Sequence, residues 1–149
     1  MKDPVVADST CLIGLERIGR LDLLPIVFEK IAIPPAVLHE FGVQVPWLTV
    51  MAPANKSLTE SLQLLVDEGE AAAISLASEL GWRVVLDDRH ARLVALRLSL
   101  RVIGTVGILL RAKQAAALPA IRPLIDDLEH SHFYISSALK EEALHLAGE

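Results

Sequence analysis

Five carboxylates stand where a parallel sheet would bring them together. Asp8 follows the apolar run Val5-Val6-Ala7, and the adjacent Asp87 and Asp88 follow Val84-Val85-Leu86. Ligands of such sheets gather beyond the carboxyl ends of the strands, so two strands would deliver acids to one edge. Glu70 opens a helix whose other residues, Ala71 to Ala77, are nearly all small or apolar. The helix dipole favours an acid at that end, so a capping role competes with a role in a site. Glu40 closes the helix begun at Pro34-Pro35, where the dipole disfavours it, and that placement points to a use for it.

Gathering carboxylates is costly. At ~4 Å two of them repel by roughly 4 kcal/mol at an effective dielectric of ~20. The cluster holds when some acids are protonated or a cation sits among them. All-oxygen acidic sets suit Mg2+ or Mn2+, whereas zinc prefers nitrogen and sulfur. Such a cation activates a water and holds a phosphate oxygen, which is the chemistry of phosphodiester hydrolysis. Spacing alone does not select that chemistry, because acids dispersed along a chain also occur on ordinary surfaces.

The elements that must position these acids alternate between strand and helix. Pro4 to Ala7 reads as a buried strand, followed by a helix that Ser9-Thr10 would cap and Gly19 would end. A helix over Leu21 to Phe28, a strand over Ile31 to Ile33 and a helix from Pro34-Pro35 through Phe41 follow, with Gly42 as its stop. Trp47 to Val50 reads as a short strand, and Leu58, Leu62 and Leu65 resume a helical spacing. Then come a helix from Glu70 to Leu80, a strand over Arg83 to Leu86, and a helix over Arg89 to Leu98 that offers Leu93, Val94 and Leu96 to the core. A strand over Arg101 to Ile103 and a helix over Val106 to Ala116 complete the alternation. The tail reads as a helix over Pro119 to Leu128, an edge strand over Phe133 to Ile135, and a last helix capped at Ser136-Ser137. This order implies an α/β fold with a parallel sheet between helices. With 149 residues and no linker or repeat, a single domain over 1–149 is expected.

Composition narrows the function classes. Apolar residues make up 52%, yet no run of ~20 uncharged apolar residues exists to span a bilayer. The opening MKDPVVAD is no signal peptide, so a cytoplasmic protein without a membrane partner is expected. One cysteine, Cys11, excludes an internal disulfide and a cysteine-rich zinc site, and His39, His90, His130, His132 and His145 lack zinc-ligand spacing. Net charge is −5, but residues 83–113 hold seven of the fourteen lysines and arginines, among them Arg89 and Arg92 beside the acidic pair. That segment would suit phosphates next to a metal; the same arginines also fit the solvated faces of two helices.

The strings VVADSTCLIGLERIGRLDLL, IAIPPAVLHEF, DEGEAAAISLASELG, VVLDDRHAR and VIGTVGILLRAK, in that order, resemble the PIN-domain family. Within it they are most similar to a VapC-like, toxin-type branch of small bacterial and archaeal proteins. The resemblance covers residues 4–115 and implies a three-layer fold, a central parallel sheet of four to five strands flanked by helices. It also implies a nuclease that uses Mg2+ or Mn2+ to cleave single-stranded RNA. Carried over by motif, the metal ligands and catalytic acids are Asp8, Glu40, Glu70 (where relatives often have aspartate) and Asp88. Asp87 is left as a supporting or solvated acid. Ser9, beside the first acid, would bind a ligand or cap its helix; Arg89 and Arg92 would steady the RNA; Thr105 would touch a phosphate or cap its own helix. A small antitoxin partner and a homodimer are implied in the same way.

Two rivals remain beside this reading. A receiver-like phosphate-handling domain would need a lysine after the last strand, whereas Lys113 lies deep in a helix. A PIN fold without catalytic activity would only bind RNA or a protein partner. Trp47, Trp82 and Tyr134 have core packing as their default role, with base stacking as the alternative.

Overall fold

The computed structural model describes residues 2–149. Its five strands are β1 (Val5–Ala7), β2 (Ile31–Ile33), β3 (Leu48–Val50), β4 (Arg83–Val85) and β5 (Val102–Ile103). All pair in parallel, in the order β3-β2-β1-β4-β5. The chain runs outward from the centre through β2 to β3, then returns to lay β4 and β5 on the other side of β1. The order therefore reverses between β1 and β4, and the crevice at the carboxyl ends of these two strands is where such sheets bind ligands.

Helices cover both faces. On one side lie α1 (Ser9–Arg17), α2 (Leu23–Val27), α3 (Pro35–Phe41), α7 (Thr105–Gln114), α8 (Arg122–His130) and α9 (Ser137–Leu146). On the other lie α4 (Lys56–Leu62), α5 (Glu68–Leu80) and α6 (Arg89–Arg97). The strand pleat divides β1 between these cores: Val5 and Ala7 pack with the first group, Val6 with the second. All three are completely buried, so the central strand cannot shift. No helix among the described residues is long and apolar enough to cross a membrane.

Several local expectations change. No strand forms over Phe133 to Ile135; Phe133 instead packs against Gly14 of α1, where an added Cβ would sit 2.8 Å from Phe133 Cδ2. The missing side chain at Gly14 is the notch that receives the ring. The N-cap of α1 is Asp8, one residue before the expected Ser9-Thr10, and its side chain makes no capping hydrogen bond. Helix α6 turns Ala91, Val94 and Ala95 inward and leaves Leu93 and Leu96 about half exposed. Small residues let this helix lie close to the sheet, and the larger leucines face out. Helix α4 ends at Leu62, so Leu64 and Leu65 fall in the exposed turn beyond it.

Gly14→Val drives a branched side chain into the Phe133 ring. Overpacking of this kind costs roughly 1–3 kcal/mol, which a urea melt of the variant will show as a lower midpoint. Adding Phe133→Ala opens space for the valine and recovers part of that loss.

Candidate active site

The switch point collects acids from four segments. Asp8 is the first residue after β1 and is only 4% exposed. Parallel pairing aligns Ala7 with Val85, so the residues after β4 emerge beside it. One oxygen of Asp8, Oδ1, is buried and has no hydrogen-bond partner. Burial raises this carboxyl to about 7; the Ser9 backbone N–H opposes the rise, and the charges of Glu70, Asp67 and Glu40 add to it.

Glu70 reaches the site from the first turn of α5. This helix begins at Glu68, with Asp67 as its N-cap, and the two acids form a reciprocal box. Asp67 Oδ1 accepts the Glu70 N–H at 2.8 Å, and Glu70 Oε1 accepts the Asp67 N–H at 3.2 Å. The capping role therefore operates, yet Glu70 stays buried and its carboxyl is also pushed up to about 7. Burial is the main cause, the Asp67 backbone N–H opposes it, and the Asp67 and Asp88 charges reinforce it. Asp67 belongs to the acid cluster and was not among the expected residues. The sequence D-E-G-E carried the signal, since an acid three residues before a glutamate marks a helix start.

Glu40 lies on the last turn of α3 and reaches across to α5. A side chain at Gly69 would run into Glu40 Oε1 and come within 3.5 Å of Asp8 Oδ1. Gly69 thus has no Cβ where the Glu40 and Asp8 carboxylates approach the start of α5. Its neighbourhood opens as a pocket of about 270 Å³ lined by His39, Glu40, Asp67 and Glu68.

The acidic pair after β4 divides. Asp87 Oδ1 accepts the Thr105 N–H at 2.8 Å, and Oδ2 accepts the Thr105 hydroxyl at 2.7 Å. Burial raises the Asp87 carboxyl, while the Thr105 groups and Arg92 hold it down. Asp88 is exposed, N-caps α6 through the Ala91 N–H at 2.9 Å, and lies close enough to Glu70 to raise its carboxyl.

The expected binding residues fall in different settings. Thr105 is fully buried and follows the N-cap Gly104, so it acts on the acids through Asp87 and presents no surface to a phosphate. Ser9 is buried beside Asp8. Arg92 is half-buried next to Asp87, and Arg89 is exposed at the start of α6. The basic segment does not form one surface. Arg83 and Arg101 sit at the far edge of the sheet, 3.6 and 3.8 Å from Asp3, and Lys113 pairs with Glu149 at 2.9 Å. Cys11 is buried and its thiol is pushed up by burial, so it packs and does not react.

Among the described residues, no group of three or more His, Cys, Asp or Glu is arranged to hold a metal ion as the side chains stand. The donor chemistry nevertheless fits a hard cation. The donors are all carboxylate oxygens, one of them orphaned, and two of the acids are driven toward protonation, chiefly by burial and further by the charges of their neighbours.

A family model described as a PIN domain matches residues 4–149. The chain belongs to the PIN-domain family, whose members are generally nucleases and typically bind divalent metal ions. No curated protein matches it.

Buried acids with raised pKa values make stability depend on pH. Unfolded, Asp8 and Glu70 ionise near 3.8 and 4.5; folded, both keep their protons to about pH 7. Between these values the folded state binds more protons, so stability falls as pH rises through the window and levels above it. The metal-free protein should melt at least a few degrees lower at pH 8 than at pH 5. Asp8→Asn should flatten that fall, as followed by circular dichroism.

Proposed function

We propose that this protein is a Mg2+- or Mn2+-dependent endoribonuclease that cuts single-stranded RNA. The observation that carries the reading is the orphaned Oδ1 of buried Asp8, surrounded by Glu40, Glu70 and Asp67 at the switch point of the sheet. Leaving a buried carboxylate oxygen unpaired is costly. A proton or a cation relieves it, and a divalent cation also offers the neighbouring acids a shared counter-charge while they stay ionised.

Asp8, Glu40, Glu70 and Asp88 would hold the ion, with Asp87 as an outer acid that fixes the strand end through Thr105. When bound, a divalent ion supplies Lewis-acid activation of water and neutralises charge on the scissile phosphate. The chain's own groups set the geometry. Burial of β1 fixes Asp8, and the bare Gly69 admits the Glu40 carboxylate beside it. Glu70, held by its capping bonds to Asp67, would keep its other carboxylate oxygen for the ion. Arg89, exposed next to Asp88, or half-buried Arg92 would steady the strand's phosphates.

By resemblance, the protein is the toxin of a VapC-like toxin–antitoxin pair in the cytoplasm, paired with a small antitoxin and forming a homodimer. Exposed Leu93, Leu96 and Leu98 supply apolar surface for such partners. The rival reading, a PIN fold that only binds RNA or protein, draws on the absence of a preset three-donor group among the described residues. Titration calorimetry with Mn2+ separates the two, because a purely binding module shows no specific uptake.

Asp8→Asn and Glu70→Gln should each abolish Mn2+-dependent cleavage of an unpaired RNA while the circular dichroism spectrum stays native. Gly69→Ala should displace the Glu40 carboxylate and cut cleavage at least tenfold, with little loss of stability because the displaced group is a flexible, exposed end. Undiminished cleavage by Asp8→Asn would sink the assignment.

A further inference from the structure

Next to the acids lies a second, larger opening that the metal chemistry does not use. It holds about 650 Å³ and is lined by Arg17 of α1, Asp87, Asp88 and Arg89 of the β4–α6 joint, and His132 and Tyr134 of the turn after α8. The turn is built in a particular way. His132 adopts a left-handed backbone (φ 68°) that a residue with a side chain rarely takes. The bend sends Phe133 down into the Gly14 notch and leaves Tyr134 86% exposed at the rim. An anchored, strained turn thus holds an aromatic ring out in water. Tyr134 gains nothing from the core by standing there. Arg17 and Arg89 flank the same opening, both exposed and both without an ion pair among the described residues.

A flat ring and two guanidinium groups without ion pairs on one opening, beside the acids, match the chemistry of a single nucleic-acid strand. Bases stack on aromatic faces whatever their identity, and the phosphates between them take cations. Ile13, Gly14 and Phe133 give the opening an apolar floor on which a base can lie, and the guanidinium groups of Arg17 and Arg89 favour a polyanion over a protein segment. We propose that the turn at residues 131–134 is a stacking ledge for one unpaired RNA base, with Arg17 and Arg89 holding the adjoining phosphates. The ledge sets which phosphate reaches the acids. It rests on the ribonuclease reading above, since the strand must continue from the ledge past Asp88. A base inside a duplex has no free face to offer, so the ledge also selects unpaired RNA.

The test is a fluorescence-anisotropy titration of the full chain in EDTA against a labelled unpaired oligoribonucleotide and its duplex, with Mn2+ cleavage of the same strand run in parallel. Tyr134→Ala should weaken single-strand binding about tenfold, equivalent to ~1.4 kcal/mol and in the range of one base–aromatic stack. Tyr134→Trp should restore it, and duplex binding should not change. Arg17→Gln and Arg89→Gln should each lower the slope of log affinity against log salt by roughly 0.7, while Tyr134→Ala leaves that slope intact. The ring is exposed, so these variants fold. If the wild type binds or cuts the strand and Tyr134→Ala does so equally well, the ledge is overturned and the ribonuclease reading stands. If the wild type neither binds nor cuts it, the ribonuclease reading falls and takes the ledge with it.

Discussion

The structure turns on one carboxylate that cannot leave. Asp8 follows a strand with no exposed residue, and cores on both faces grip that strand. Its side chain therefore stays at the switch point of the sheet, out of reach of bulk water. The group is left with a raised pKa and an oxygen without a partner. Protonation or a cation is the remaining way out.

The other acids adapt to this fixed point through bonds of their own. Glu70 spends one oxygen on the cap of α5, Asp88 caps α6, and Asp87 ties β4 to the start of α7. Each bond lets an acid wait near Asp8 without adding its full charge to the centre. They help so many carboxylates coexist at one edge, held within reach of one another by helix caps.

Much of this was legible in the sequence, because strands and acids are coupled there. Runs such as Val5-Val6-Ala7 and Val84-Val85-Leu86 end directly in aspartates, and a parallel sheet puts strand ends on one edge. The expected parallel sheet of four to five strands formed with five, between its helical layers. The misreadings came where tertiary contact overrode local pattern. Phe133-Tyr134-Ile135 has the composition of a strand, but a notch at Gly14 captures the first ring and the left-handed His132 turns the segment off the sheet. Leu93 and Leu96 have core chemistry, but alanines on the opposite face of α6 bring the helix closer, and close approach decided the orientation. Asp67 lies outside the expected site because the expected helix begins at Glu70, two residues after its true start and at the far member of the capping box.

The division between Asp87 and Asp88 shows how neighbouring residues of one type take different work. Extended backbone sends successive side chains to opposite faces. Asp87 accordingly meets Thr105, at the head of the helix that packs on one face, and Asp88 meets the start of α6 on the other. Only the second face carries α5, and with it Glu70. Glu70 therefore feels the Asp88 carboxylate, whereas Asp87, raised by burial, is held down by Thr105 and Arg92. Which of the two lies beside Glu70 follows from which core each one faces, a property of the sheet's pleat that the paired letters in the sequence do not display.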